Sequence, residues 1–125
     1  MRIKGVHHIE LTVTSLENSK SFYQKLPNFK VLAEYPDFVM FFNGNVYLGL
    51  TTHQGKAKGK FDEKNVGMDH VSFEVDTKEA LEEAIKFFDK ENIPHGEIKK
   101  LSNNIHVLAF RDPDNIQLEL SWREA

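Results

Sequence analysis

Three side chains able to bind a metal or move protons, His8, His70 and Glu119, fall at related places in a pattern the chain uses twice. The stretch GVHHIELTV at 5–13 alternates: Ile9, Leu11 and Val13 fall on one side of an extended chain, His8, Glu10 and Thr12 on the other. Side chains of a strand alternate faces with period two, so the stretch reads as a half-buried strand. GMDHVSFEV at 67–75 repeats it 62 residues later, with Gly5 on Gly67, His8 on His70 and Val13 on Val75. There Val71, Phe73 and Val75 oppose His70, Ser72 and Glu74. Near the C-terminus Ile116, Leu118, Leu120 and Trp122 form the apolar set, which leaves Gln117, Glu119 and Ser121 on the histidines' face. Two imidazoles and one carboxylate on a common face are the facial-triad donor set, which leaves coordination positions open for substrate or water. A solitary histidine is more often exposed or hydrogen-bonded in a core than a ligand. Repeat and parity together are what favour the triad here.

Other polar groups share that face. Glu10 and Glu74 lie two and four residues along it from the histidines, and a carboxylate near a metal could serve as a general base. A rim position that only tunes charge is the competing reading for both. Ser72, Gln117 and Ser121 could hydrogen-bond substrate oxygens or orient the ligands. Phe38, Phe41 and Tyr47 are candidate pocket walls, with core packing as the default. Of the remaining histidines, His7 is expected to point away from His8 at the strand start. His53 and His95 read as loop or edge residues, and His106 shares parity with Leu108 and Phe110 as a core residue.

The elements that must position these groups also come twice. TSLENSKSFYQKL follows the first strand, with Ser15 as N-cap and Leu16, Ser19, Phe22, Tyr23 and Leu26 on one helical stripe. DTKEALEEAIKFFDKEN follows the second, with Asp76 and Glu79 as a capping box and Leu81, Ala84, Ile85 and Phe88 at helical spacing. Pro27 and Pro94 break the helices. Short strands are expected over 30–35, 38–42 and 46–51 in the first half, turning at Asn43-Gly44, and over 95–100, 106–111 and 116–122 in the second, turning at DPDN, 112–115. The final strands align as NVYLGL (45–50) on NIQLEL (115–120). Each half is therefore βαβββ. The fold class is α+β: two tandem units, about 3–52 and 67–123, forming a curved, mostly antiparallel sheet around a cleft, in one domain joined by a polar linker, 53–66.

Composition narrows the function. A chain of 125 residues with 40% hydrophobic and 28% charged residues suits a single folded domain. Ten phenylalanines point to an aromatic core or apolar pocket walls. The formal charge of −3 argues against nucleic acid, and Lys56, Lys58, Lys60 and Lys64 lie in a Gly-interrupted segment that reads as solvated linker. The absence of cysteine removes disulfides, thiolate catalysis and thiolate-bound metals. No signal-type apolar segment or membrane span is evident, so a cytoplasmic protein is expected.

HHIELTV, SKSFYQKL, MDHVSFEV and above all FRDPDNIQLEL give the sequence a resemblance to the vicinal oxygen chelate superfamily, which includes glyoxalases, bleomycin-resistance proteins and extradiol dioxygenases. The resemblance spans nearly the whole chain. It implies metal ligands at His8, His70 and Glu119 and a divalent ion (Fe, Mn, Ni or Zn) on which a small substrate chelates through neighbouring oxygens. Isomerase, lyase, thiol-transferase and ring-cleaving chemistry all remain open. Glyoxalase I-type members usually carry a further carboxylate on the last strand of the first unit, where this chain has Gly49. Three ligands instead resemble the fosfomycin-modifying and ring-cleaving branches. The alternative is a metabolite- or antibiotic-sequestering protein of the bleomycin-resistance type. The resemblance also implies a homodimer, with the units paired either within a chain or crosswise between chains.

Overall fold

The computed structural model describes residues 1–125, which form two units, Met1–Gly59 and Lys60–Ala125. The first runs β1 (His8–Thr12), α1 (Leu16–Lys25), β2 (Lys30–Tyr35), β3 (Phe38–Phe42) and β4 (Tyr47–Thr51). The second runs β5 (Val71–Glu74), α2 (Lys78–Lys90), β6 (Lys99–Lys100), β7 (Ile105–Arg111) and β8 (Gln117–Arg123). The α+β fold is thus βαβββ twice. Each sheet is mixed: the orders are β1-β4-β3-β2 and β5-β8-β7-β6, with the first and last strands of each unit parallel and the other pairs antiparallel.

The helices form where the apolar stripes lie. Ser15 caps α1, its hydroxyl accepting from Asn18 N–H at 3.2 Å, and the stripe buries Ser19, Phe22 and Tyr23. The cap of α2 is Thr77 instead of the expected Asp76: the Thr77 hydroxyl accepts from Ala80 N–H at 3.1 Å. The helix starts one residue later than the Asp–Glu spacing suggested, which leaves Glu79 as a first-turn acid favoured by the helix dipole. Leu81 and Phe88 are the buried side chains of α2, and Phe88 stacks on Phe110 of β7 with centroids 4.5 Å apart. Truncating a fully buried aromatic such as Phe88 removes about 3–5 kcal/mol.

Burial fixes which sheet face meets the helices. Leu11, Val39, Phe41, Leu48 and Leu50 are buried in the first unit, and Leu108, Phe110 and Leu118 in the second. Residues of opposite parity occupy the helix-free faces. Both turns are as expected. Asn43 Oδ1 accepts from Asn45 and Val46 N–H at 2.9 and 2.8 Å, with Gly44 at φ 95°. In DPDN, buried Asp112 accepts from Asp114 and Ile116 N–H, both at 2.8 Å, and Asn115 takes φ 66°. The predicted strand 95–100 shrinks to two residues plus a lone bridge between His95 and Phe110. Proline 94 has no N–H to donate there, although its carbonyl accepts from Arg111 N–H at 3.0 Å. No helix is long and apolar enough to cross a membrane.

Candidate functional site

In the second unit, the parallel register sets Ser72 beside Glu119 and Glu74 beside Ser121 on the helix-free face. His70, just before β5, meets Glu119 with Nε2 3.6 Å from Oε1. The two side chains are 39% and 18% exposed, so both remain reachable from solvent. Two donors about 2.0–2.2 Å from a shared cation stand about 3–3.5 Å apart, so this pair has a fitting spacing and fitting chemistry for a divalent ion.

Each member of the pair is held by further groups. His70 Nδ1 lies 2.8 Å from Asp69 Oδ1. A carboxylate can only accept, so His70 Nδ1 donates to Asp69, and Nε2 is the nitrogen that faces Glu119. Asp69 in turn accepts from Gln117 Nε2 through both Oδ1 (3.0 Å) and its backbone carbonyl (3.1 Å). Gln117 Oε1 takes a long bond, 3.4 Å, from Arg111 Nη2. Arg111 forks onto Glu63 at 2.8 and 3.0 Å, and this hydrogen-bonded pairing holds the Glu63 carboxyl down to about 2. On the other side Ser121 Oγ donates to Glu119 Oε1 at 3.3 Å and also contacts the Ser72 hydroxyl. A polar chain thus runs from Glu63 to Ser72 with the His70–Glu119 pair in it. Beside it, Ser72, Glu74, Ile105, Ser121 and Arg123 line a groove of about 200 Å³.

In the first unit, His8 pairs with Tyr47 and Glu10 with Gly49 across the parallel strands. Both His8 and Glu10 are exposed. His7 does not turn away from His8 as strand parity suggested. It precedes β1, so alternation does not bind it, and its Nδ1 lies 2.9 Å from His8 Nδ1. Its ring stacks on Tyr47 (5.4 Å, 22°), which stacks on Phe42 (4.5 Å, 21°). The helix-free face here is aromatic: Phe38, Phe42 and Tyr47 lie on it, whereas Phe41, the third candidate wall, is fully buried toward the helix near Tyr23. A Cβ at Gly49 would stand 2.8 and 2.9 Å from Phe38 Cε1 and Cζ, so the Phe38 ring covers the place of the further carboxylate.

The structure therefore brings together His70 and Glu119, with Glu74 further along the same face, and puts His8 and Glu10 on the open face of the first unit. No group of three His, Asp or Glu side chains is gathered as it stands to hold a metal. His106 lies on the buried side: its Nε2 has no hydrogen-bond partner, and Glu124 Oε1 is 3.7 Å away. His53 is exposed and reaches Thr12 Oγ1 at 3.0 Å. Asp69, Arg111, Glu63 and Phe42 had no role assigned from the sequence. The available signal for Asp69 was its place in the repeat, where it corresponds to His7.

The fold is that of one family. The chain belongs to the Glyoxalase/Bleomycin resistance protein/Dioxygenase superfamily, whose pattern matches residues 5–120. Among solved structures it is similar to a glyoxylase/bleomycin resistance protein/dioxygenase domain from Frankia sp. EAN1pec. That match has 30% identity and TM-score 0.87 and covers 98% of this chain and 100% of that one. It shares its fold with lactoylglutathione lyase from Agrobacterium tumefaciens (20% identity, TM-score 0.78, coverage 98% and 96%). The fold is also that of the fosfomycin resistance protein FosX from Listeria monocytogenes, solved with Mn(II) and sulfate (18% identity, TM-score 0.77, coverage 98% and 93%).

Proposed function

We propose that this protein is a metal-dependent enzyme whose small substrate chelates a divalent ion through neighbouring oxygen atoms, the ion being held by His8, His70 and Glu119. The observation that carries the reading is the His70–Glu119 pair, with imidazole Nε2 3.6 Å from a carboxylate oxygen and each partner braced by a further hydrogen bond. His8 joins them as the repeat counterpart of His70 on the matching face of its own unit. Imidazole and carboxylate donors suit Mn, Fe, Ni or Zn, and the Mn(II) found with the Listeria FosX makes manganese the first ion to try. A bound ion of this kind supplies Lewis acidity that stabilises oxyanion charge on the substrate. Glu74, beside the groove, and Glu10, beside Gly49, are the candidate proton acceptors. The Ser72 and Ser121 hydroxyls offer hydrogen bonds to substrate oxygens. A cytoplasmic homodimer is the expected state, and sedimentation tests the dimer: a stable monomer of 14.5 kDa would reject it.

A second reading, a protein that only sequesters its ligand, draws on the aromatic face of Phe38, Phe42 and Tyr47, which could stack a flat molecule without chemistry. One experiment separates the two. Protein purified without chelators is analysed for metal and scanned for thermal stabilisation by divalent ions, alongside His8→Ala, His70→Ala and Glu119→Ala. The enzyme reading expects wild-type stabilisation that each substitution abolishes. Undiminished stoichiometry in all three variants, or no ion stabilising the wild type, overturns it.

A further inference from the structure

His7 and Asp69 correspond in the repeat, each standing immediately before one of the proposed ligand histidines. Both make the same contact. Asp69 Oδ1 is 2.8 Å from His70 Nδ1, and His7 Nδ1 is 2.9 Å from His8 Nδ1. Each is fixed in turn by the first residue of the last strand of its own unit, and those residues also correspond. Tyr47 stacks on His7, whereas Gln117 donates to the Asp69 carboxylate and carbonyl. One device is therefore built twice with different chemistry: an aromatic plate under an imidazole in the first unit, an amide clamp on a carboxylate in the second.

We infer that His7 and Asp69 are positioning residues that take the Nδ1 proton of His8 and His70 and hold both imidazoles with Nε2 bare. An imidazole's tautomer is set by the hydrogen bond at its other nitrogen, and metal-bound histidines commonly donate that N–H to a carboxylate, carbonyl or water. At His70 the direction is forced, because the acceptor is a carboxylate. At His8 the same assignment makes the stacked His7 ring the acceptor through Nδ1, with its own proton on Nε2. The chain thus presents two imidazoles in one tautomer before any ion arrives, and neither has to rearrange on binding. The consequence for metal affinity rests on the function proposed above; the tautomer assignment does not.

The test has two readouts. In metal-free protein labelled with ¹⁵N-histidine, above the imidazole titration range, long-range ¹H–¹⁵N spectra should show His8 and His70 as Nδ1–H tautomers. His70 should turn to Nε2–H in Asp69→Ala but keep Nδ1–H in Asp69→Asn, whose carbonyl oxygen still accepts. His8 should turn to Nε2–H in His7→Ala. Free Mn(II), counted by electron paramagnetic resonance during titration, should report binding about 10–100-fold weaker in Asp69→Ala and His7→Ala, with most of the loss restored in Asp69→Asn. An Nε2–H tautomer at either residue in the wild type overturns the inference, as do altered tautomers with undiminished Mn(II) binding. If the tautomers are as assigned and the wild type binds no Mn(II), the metal reading fails while the positioning of the imidazoles stands. Should Asp69→Ala fail to fold, Gln117→Ala, which releases Asp69 without touching His70, serves in its place and should weaken binding in the same direction.

Discussion

The Phe38 ring lies over the Cα of Gly49, so that a Cβ there would come within 2.8 Å of Phe38 Cε1. Gly49 is buried by that ring although it lies on the helix-free face. The glycine and the phenylalanine therefore belong together: the missing side chain is the space the ring fills.

Gly49→Ala is expected to destabilise by about 1–3 kcal/mol, the range for forcing a methyl group into a filled site. In a Phe38→Ala background the same change should cost far less, giving a coupling of about 0.5–3 kcal/mol in a double-mutant cycle followed by urea denaturation. Additive effects would show that the ring does not govern the site. With no further carboxylate at position 49, turnover of the methylglyoxal–glutathione hemithioacetal should be weak or absent; brisk turnover would show that three ligands suffice.

The repeat and its parity were legible because they rest on alternation, which a strand imposes on every side chain. The shared face of Ser72, Glu74, Glu119 and Ser121 follows from that rule, while Ser15 and the two turns follow from capping and turn chemistry local to a few residues. Three details were not. Capping by Thr77 is decided between adjacent competent residues by local backbone geometry. His7 lies before β1, where alternation no longer applies. The Glu63–Arg111–Gln117–Asp69 chain spans 54 residues of sequence and depends on how a linker side chain lies against β7, to which no periodicity speaks. Of the three candidate pocket walls, Phe41 takes the default of core packing, as its parity with Val39, on the face that carries Leu48 and Leu50, requires.

Asp37 anchors the loop that leaves β4. Its carboxylate accepts from Thr52 Oγ1 (2.5 Å), the Gln54 and Thr52 amides (2.6 and 3.1 Å) and Thr51 Oγ1 (3.2 Å). These bonds, the Thr52 hydroxyl first, hold its carboxyl down to about 2. They also secure a turn in which His53, Gln54 and Gly55 take φ of 54°, 58° and 78°, a left-handed run costly for the two non-glycine residues. A lowered carboxyl contributes stability that is full above the ordinary carboxylate range and is lost as pH falls toward about 2. The protection of the Thr52 and Gln54 amides, taken as exchange relative to the unstructured-chain rate at each pH, should accordingly fall on acidification in the wild type and lose that pH dependence in Asp37→Asn. Equal pH dependence in both proteins would remove Asp37 as the anchor.

His95 shows the opposite sign. Its Nε2 meets Asp89 Oδ1 and its Nδ1 the Gly96 carbonyl, both at 2.6 Å, with the Phe88 ring alongside. The Asp89 carboxylate, aided by the carbonyl, raises the imidazole above its ordinary value, since both nitrogens can donate only in the charged ring. This stability is full below the ordinary imidazole value and is lost as pH rises through the raised one. Asp89→Asn should therefore lower the thermal midpoint at mildly acidic pH and make little difference at alkaline pH. A difference that grows with pH would contradict the assignment.

Arg111 ties three segments of the second unit together. Its guanidinium forks onto Glu63, donates through Nη1 to the Asn115 carbonyl at 3.1 Å, and reaches Gln117 through Nη2. A planar group with five fixed donors can serve all three at once, whereas a lysine ammonium on a flexible stem cannot keep the fork. Arg111→Lys should therefore keep the charge and still lose about 1 kcal/mol of stability, the typical net contribution of one hydrogen bond. The loss should pass along the chain to Gln117, whose amide orientation is set by Oε1 toward Arg111 and Nε2 toward Asp69. The slowed exchange expected for the Gln117 side-chain NH₂ protons in the wild type should then disappear in Arg111→Lys. Glu63→Gln, which weakens the fork while leaving the guanidinium in place, should have a smaller effect on them. If the Gln117 protons are indifferent to Arg111→Lys, the bond to Asp69 is sustained by Gln117 alone and the chain of support ends there.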